Sequence, residues 1–222
     1  MKTRCWLRFI RIIVIVVLIS ETCSALDDGD FQYWDTTKFS FDLNKDWEFT
    51  FEEELRFQDE ASRLYYHHSE LGFVYSGFAD WVEFGLNYRQ IFSRNSNDDW
   101  VTENRPHVNV TLMTKLAGLY LEDRSRLEYR DRNEKDDVWR YRNKFTIEFP
   151  KLTTLQLQPY IADEVFINLD QEGYNNNRLY AGSSIKLTKT IEADIFYMWQ
   201  STRSDGGRKD INVLGFKLEI AF

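Results

Sequence analysis

The sequence predicts an all-β fold, a transmembrane antiparallel up-and-down β-barrel that follows an N-terminal signal peptide. Three observations carry that prediction. The chain opens with a short charged and then apolar leader, continues almost entirely in segments of period-two alternation, and joins those segments by turns that are alternately short and long. Successive side chains of a strand point to opposite faces, so such alternation gives each segment one apolar and one polar face.

The leader comes first. Lys2, Arg4, Arg8 and Arg11 precede an apolar run from Ile12 to Ile19, and Glu21-Thr22-Cys23-Ser24-Ala25 follows. That order of charged, apolar and small residues marks a secretory signal peptide. A membrane-spanning helix needs ~20 apolar residues, and this run is much shorter. Cleavage is expected after Ala25, with Ser24 the neighbouring position, so residues 1–25 are the signal and 26–222 one barrel domain. Ser20, Glu21 and Thr22 do not form a lipoprotein box, and Cys23 is not read as lipidated.

Strands are expected near 30–43, 46–57, 63–76, 80–92, 104–114, 117–130, 137–149, 153–167, 177–187, 190–202 and 209–222. In the second, Trp47, Phe49, Phe51, Leu55 and Phe57 oppose Glu48, Thr50, Glu52, Glu54 and Arg56. Val82, Phe84, Leu86 and Tyr88 alternate with Glu83, Gly85, Asn87 and Arg89, and Trp139, Tyr141, Phe145 and Ile147 with Arg140, Arg142, Lys144 and Thr146. The last strand sets Leu214, Phe216, Leu218, Ile220 and Phe222 against Gly215, Lys217, Glu219 and Ala221. It resembles the terminal strand of Gram-negative outer-membrane proteins, whose closing aromatic residue helps the assembly machinery recognise its client. Phe222 is therefore the expected assembly signal.

Short turns fall at 44–46, 77–79, 115–116, 150–152 and 188–189, and longer polar loops at 58–62, 93–103, 131–136, 168–176 and 203–208. Outer-membrane barrels sort their connections in this way, with the short turns on the periplasmic rim. The sorting places Phe222 on that rim. Eleven segments are legible, whereas single-chain bacterial barrels have an even number. About twelve strands are expected, ten being the alternative, with a bend inside 30–43 or a short closing strand before it.

Composition limits the function. The signal holds both cysteines, four of the 28 basic residues and one of the 36 acidic ones, leaving 24 against 35 in the mature chain. A mature domain without cysteine owes nothing to disulfides. An acidic balance excludes nucleic acid as partner, since phosphate binding needs a basic surface. The chain's negative mean hydropathy does not oppose a membrane barrel, which shows lipid only half of each strand.

Several short runs together carry a family resemblance: Phe31-Gln32-Tyr33-Trp34, Leu43-Asn44-Lys45-Asp46-Trp47, Glu52-Glu53-Glu54-Leu55-Arg56-Phe57, Gly85-Leu86-Asn87-Tyr88-Arg89, Glu103-Asn104-Arg105-Pro106-His107, Trp139 to Lys144 and Gln158-Pro159-Tyr160. In order and spacing the chain resembles the bacterial family catalogued as domain of unknown function 2490, predicted outer-membrane barrels. The resemblance covers nearly all of the mature chain and implies fold and location, but no catalytic or ligand-binding residue. The partners implied by an outer-membrane location are outer-membrane lipid and lipopolysaccharide, the barrel-assembly machinery and periplasmic chaperones.

The residues of greatest functional interest are the inward charges. Glu48, Glu52 and Glu54 come from the second strand, Arg124 and Arg126 from the sixth, and Arg140, Arg142 and Lys144 from the seventh. As possible lumen-lining residues they form either a basic wall facing an acidic one across a narrow channel, or a salt-bridged interior, since buried charge must be paired or hydrated. His67 and Ser69 share a face, the pattern of a lipid hydrolase, yet Glu70 falls on the opposite face and leaves the histidine without its orienting carboxylate. A metal site would need His107 to approach His68, and no cofactor or metal ligand set is assigned. Asn109-Val110-Thr111 has the form of a glycosylation sequon but lies within a strand. The leading expectation is a narrow passive channel for small polar or anionic solutes. The alternatives are a non-conducting barrel with a salt-bridged interior and an outer-membrane lipid hydrolase. Arg is expected to harm assembly at Leu86, Phe145 or Leu218, and to be tolerated at Asn87, Thr146 or Lys217 if the lumen is wet.

Overall fold

The computed structural model describes residues 29–152, 156–170, 173–204 and 207–222. The expected signal peptide, both cysteines and any strand preceding Gly29 lie outside the described residues. Those described form eleven strands and no helix: β1 (Phe31–Asp42), β2 (Trp47–Gln58), β3 (Arg63–Ala79), β4 (Val82–Arg94), β5 (Trp100–Leu116), β6 (Leu119–Arg132), β7 (Val138–Glu148), β8 (Leu157–Asn168), β9 (Gly173–Lys186), β10 (Ile191–Ser204) and β11 (Gly207–Ala221). Each strand pairs with its sequence neighbours, and β1 with β11 closes the barrel.

Eleven strands among the described residues agree with the expected number of about twelve, and the closure shows how an odd count is accommodated. Ten neighbour pairs are antiparallel, but β1 and β11 run parallel, from Phe31↔Asn212 to Ser40↔Ala221. Parity follows only if both ends must leave from one rim. Here a parallel seam satisfies the edges with an odd count, so the two ends sit on opposite rims. The connections do not sort by length as expected: β7 and β8 are joined across 149–156 on the rim expected to hold short turns, and β10 and β11 across 205–206 only on the other. At that other rim, named the long-loop rim from its expected loops, the Asp30 carbonyl accepts from Asn212 N–H at 3.3 Å and its carboxylate from Glu60 N–H at 3.3 Å. At the short-turn rim, Phe222 N–H donates to Ser40 O at 2.9 Å, and its ring stacks on Phe41 with centroids 5.1 Å apart.

The pleat sorts side chains as the alternation requires, with the apolar rows outside. Leu71, Phe73, Leu86, Val108, Leu112, Phe145, Ile161, Leu179, Ile195 and Leu214 are exposed on the outer face. Their sequence neighbours Glu70, Asn87, His107 and Thr146 are buried on the inner one. The outer face also carries polar residues on β6 to β9, where Asn143 Nδ2 donates to Asp123 Oδ1 at 2.6 Å and Asn177 Nδ2 to Asp163 Oδ1 at 2.5 Å. In the 133–137 connection, Arg132 N–H donates to Asp137 Oδ1 at 3.0 Å and Tyr129 O–H to Oδ2 at 2.7 Å. These two hydrogen bonds hold the Asp137 carboxyl below the usual carboxylate range.

Part of the lumen is filled by apolar side chains. Trp34, Met198, Ile211 and Val213 form a buried cluster from β1, β10 and β11, flanked by Tyr180 and Phe196. Phe196 has room because glycines oppose it on both neighbouring strands, Gly215 on β11 and Gly182 on β9. A Cβ at Gly215 would overlap the Phe196 ring. Gly215→Ala should therefore destabilise the barrel by ~1–3 kcal/mol through overpacking. The denaturant midpoint of the refolded protein reads this, and adding Phe196→Leu should restore most of it. An unchanged midpoint for Gly215→Ala would show that the ring does not sit over that backbone.

Candidate functional site

The inner face is dominated by arginine and glutamate, because the same alternation that puts aromatics outside puts charge inside on β2 to β9. Register then decides which charges meet. Arg140 on β7 lies opposite Glu128 on β6, and its Nε donates to Glu128 Oε1. Arg142 bridges two carboxylates, with Nη2 2.6 Å from Glu164 Oε1 and Nη1 3.5 Å from Glu128 Oε2. Glu164 on β8 also receives Arg124 at 3.3 Å, Arg178 at 3.6 Å and the Tyr180 hydroxyl at 2.9 Å. Arg89 on β4 joins Glu70 at 2.5 Å and Glu52 at 3.4 Å. Glu103 takes Arg105 at 2.6 Å and Arg130 at 2.7 Å, and Arg56 holds Glu54 at 2.5 Å while lying over the rings of Trp34 and Tyr66.

The same register also sets like charges directly opposite each other. Arg89 faces Arg105, Arg126 faces Arg142 and Arg124 faces Lys144, pairings that are unfavourable in isolation. Arg126 donates from Nε to Asn109 Oδ1 at 2.7 Å, but its Nη1 is buried without a hydrogen-bond partner.

Charge is sorted along the barrel as well. Glu48, Glu83, Glu122, Glu148, Glu192 and Glu219 lie at the short-turn ends of their strands. A cavity of about 180 Å³ there is lined by Glu122, Glu148, Glu192, Asp194 and Glu219 with Lys144 and Lys217. A second cavity of about 220 Å³ lies in the long-loop half and is lined chiefly by arginine, with Glu103 as its carboxylate. Between them inward side chains pack closely: His68, Glu128, Glu164 and Met198 are 0–1% exposed.

All eight residues singled out in the sequence lie on this inner face, but they do not form two opposed walls. Arg124, Arg140 and Arg142 each bind Glu128 or Glu164, and Glu52 and Glu54 bind Arg89 and Arg56. Glu48 stands apart at the short-turn rim, and Lys144 Nζ sits 4.3 Å from the Tyr180 ring centroid. Sequence reasoning missed Glu70, Arg89, Glu164 and Arg178, the residues that join the strands into one network. The signal for Glu164 was its place among Asp163, Val165 and Phe166, where two adjacent carboxylates blur which one faces in.

The histidines divide between the faces. His67 stacks on Phe92 with ring centroids 4.7 Å apart, and no hydrogen bond joins it to Ser69 or a carboxylate among the described residues. His68 is buried, with Nε2 3.3 Å from Glu52 Oε1. Glu52, His68 and Glu70 have ligand atoms within 4.8 Å of one another. His107 Nε2 lies 3.5 Å from Glu70 Oε1. Arg89, bonded to both carboxylates, already supplies the cation there, and a metal ion would have to displace it. Asn109 is turned inward to Arg126 and Asn87, away from any enzyme that would glycosylate it.

Residues 31–212 match the model of a protein family described as "Protein of unknown function (DUF2490)". No curated protein matches the chain.

Proposed function

We propose that this chain, which belongs to the DUF2490 family, is an integral outer-membrane barrel whose lumen is closed by ion-paired side chains. Membrane placement is supported by an inverted distribution of polarity. Arg89, Arg105, Arg126, Arg140, Arg142, Glu70, Glu128 and Glu164 are buried, while large aliphatic and aromatic side chains cover the exterior. Water-soluble domains seldom bury so many charges or expose so continuous an apolar surface. A spanning strand needs ~9–11 residues, and the shortest strand here, β7, has 11. The short-turn rim then faces the periplasm, where Phe222 is available to the assembly machinery, and the apolar exterior meets lipid and lipopolysaccharide.

The observation that carries the closed reading is the filled mid-lumen between the two cavities. Barrels of ~8 strands are filled by their own side chains and those of ~16 leave an aqueous channel; eleven strands with this interior fall on the filled side. The barrel is thus a non-conducting one, and the passive channel is the weaker reading. A lipid hydrolase gains no support from His67, which stacks among outer aromatics.

Planar-bilayer recording of the refolded protein tests this. The expected record is silent at moderate voltage, apart from rare openings as the ion-pair layer breathes. Long-lived, uniform conductance steps would overturn the closed lumen and reinstate the channel.

A further inference from the structure

We propose that the arginine-lined cavity in the long-loop half of the barrel binds a compact oxyanion, a phosphate or small phosphate ester. Nine arginines (those at 56, 89, 105, 124, 126, 130, 140, 142 and 178) meet six carboxylates (those at 52, 54, 70, 103, 128 and 164) in this network. Within this layer positive charges outnumber negative ones by three, before Lys144 is added, because the other inward carboxylates, Glu48, Glu83, Glu122, Glu148, Glu192, Asp194 and Glu219, are gathered toward the short-turn rim. A buried charge is costly unless paired, so an anion bound within this arginine-rich layer would offset its local excess.

The cavity is where that anion fits. Its volume of about 220 Å³ has room for several waters, each ~30 Å³ in the liquid, or for one polyatomic anion. Arg105, Arg130, Arg140 and Arg178 line it from four strands, so guanidinium groups border it on several sides, those of Arg105 and Arg130 holding Glu103 through Nε and Nη2. Fork geometry matches the oxygens of phosphate. Two further observations point the same way. Arg89 faces Arg105 across the strand pair and both line the cavity, so an anion between them would relieve their repulsion. Arg126, opposite Arg142 but outside the cavity's lining, keeps a buried Nη1 without a hydrogen-bond partner, so the excess of donors extends beyond the cavity. The walls are lumen-facing, so the phosphate is that of a free ion or soluble ester and not of a lipid whose chains lie outside. That the cavity faces the cell exterior rests on the proposed membrane placement; the binding itself does not.

The test is thermal unfolding of the refolded barrel in zwitterionic detergent, at fixed ionic strength, with chloride replaced stepwise by inorganic phosphate or glycerol 3-phosphate. The expected result is a saturable rise in the unfolding midpoint, matched by saturable heat in calorimetric titration. Arg130→Gln and Arg178→Gln leave Glu103 with Arg105 and Glu164 with Arg124 and Arg142, so both variants should fold and should bind at least tenfold more weakly. Phosphate also strengthens folding generally as an excluded salt. A rise that fails to saturate, or persists unchanged in both variants, would therefore overturn the site. So would stabilisation by phosphatidylglycerol in the micelle with neither soluble probe active. If a variant fails to fold, the wild-type titration decides alone, and absence of saturable heat there rejects the proposal. Bilayer recordings that show an open pore would remove the closed-lumen reading and leave this titration standing.

Discussion

Glu164→Ala is expected to prevent the refolded chain from reaching a heat-modifiable barrel, or to leave it unfolding at a much lower denaturant concentration. Glu164 is almost fully buried, accepts from Arg142, Arg124 and Tyr180, and lies 3.6 Å from Arg178 Nη1. Taking away one partner of a buried pair costs ~3–5 kcal/mol because the other charge stays behind, and here several are stranded together. A domain holds only ~5–15 kcal/mol in total. Glu164→Gln keeps the volume and one acceptor oxygen, so it isolates the charge and should fall between wild type and alanine. Glu192→Ala is the control, since its partner Lys186 is 4.0 Å away and the two side chains are 41% and 61% exposed. Exposed pairs contribute ~0–1 kcal/mol. Equal, small losses for Glu164→Ala and Glu192→Ala would mean that water reaches the middle of the barrel, and the closed-lumen reading would fail.

How such a network is specified explains what could and could not be read from the sequence. Boundaries were less legible than facing: the strands expected from 104, 153 and 177 begin at Trp100, Leu157 and Gly173, since pairing with a neighbour, not alternation, decides where a strand ends. Facing was legible because it depends on local alternation: Trp139, Tyr141, Phe145 and Ile147 against Arg140, Arg142, Lys144 and Thr146 needs no knowledge of other strands. The inward direction of Arg142 was therefore available. Its partner was not, since Glu164 reaches it only through the register of β7 against β8, in which Arg142 lies opposite Phe166 and Lys144 opposite Glu164. Register is a long-range property, set where the pleat and the turns agree. The same limit explains the expected opposition of acidic and basic walls, which assumed that charges stay grouped by strand. Side chains as long as arginine cross to neighbouring strands, so Glu128 and Glu164 neutralise arginines locally, while glutamates gather at the short-turn rim. The strand count was limited in another way: eleven segments were visible, but a parallel seam between Phe31–Ser40 and Asn212–Ala221 leaves no local mark in either segment.

The membrane itself can be read from two leucines. Leu86 and Leu116 are 62% and 64% exposed, so any solvent that is uniform around the barrel should treat them alike. They differ in depth, because Leu86 lies within β4 and Leu116 ends β5 at the short-turn rim. In water, arginine at either site should change stability within about 0.5 kcal/mol. In a bilayer the cost is ~2–4 kcal/mol near the midplane and ~0–1 near the interface. Leu86→Arg should accordingly lower the unfolding free energy in lipid vesicles by a few kcal/mol, and Leu116→Arg should barely register. Asn87 supplies the contrast on the inner face. Its Nδ2 donates to Glu70 Oε1 at 3.2 Å, and a Cβ at neighbouring Gly72 would overlap its side chain. The expectation that arginine would be tolerated at Asn87 presumed a wet lumen; in this packed interior it should be costly too, by displacing that hydrogen bond and crowding Gly72. The two costs have different origins and separate experimentally. The Leu86 effect should vary with bilayer thickness, since thickness sets the depth of the site, whereas the Asn87 effect should not. Small and equal losses at Leu86 and Leu116 in vesicles would remove the lipid-facing surface, and with it the outer-membrane placement.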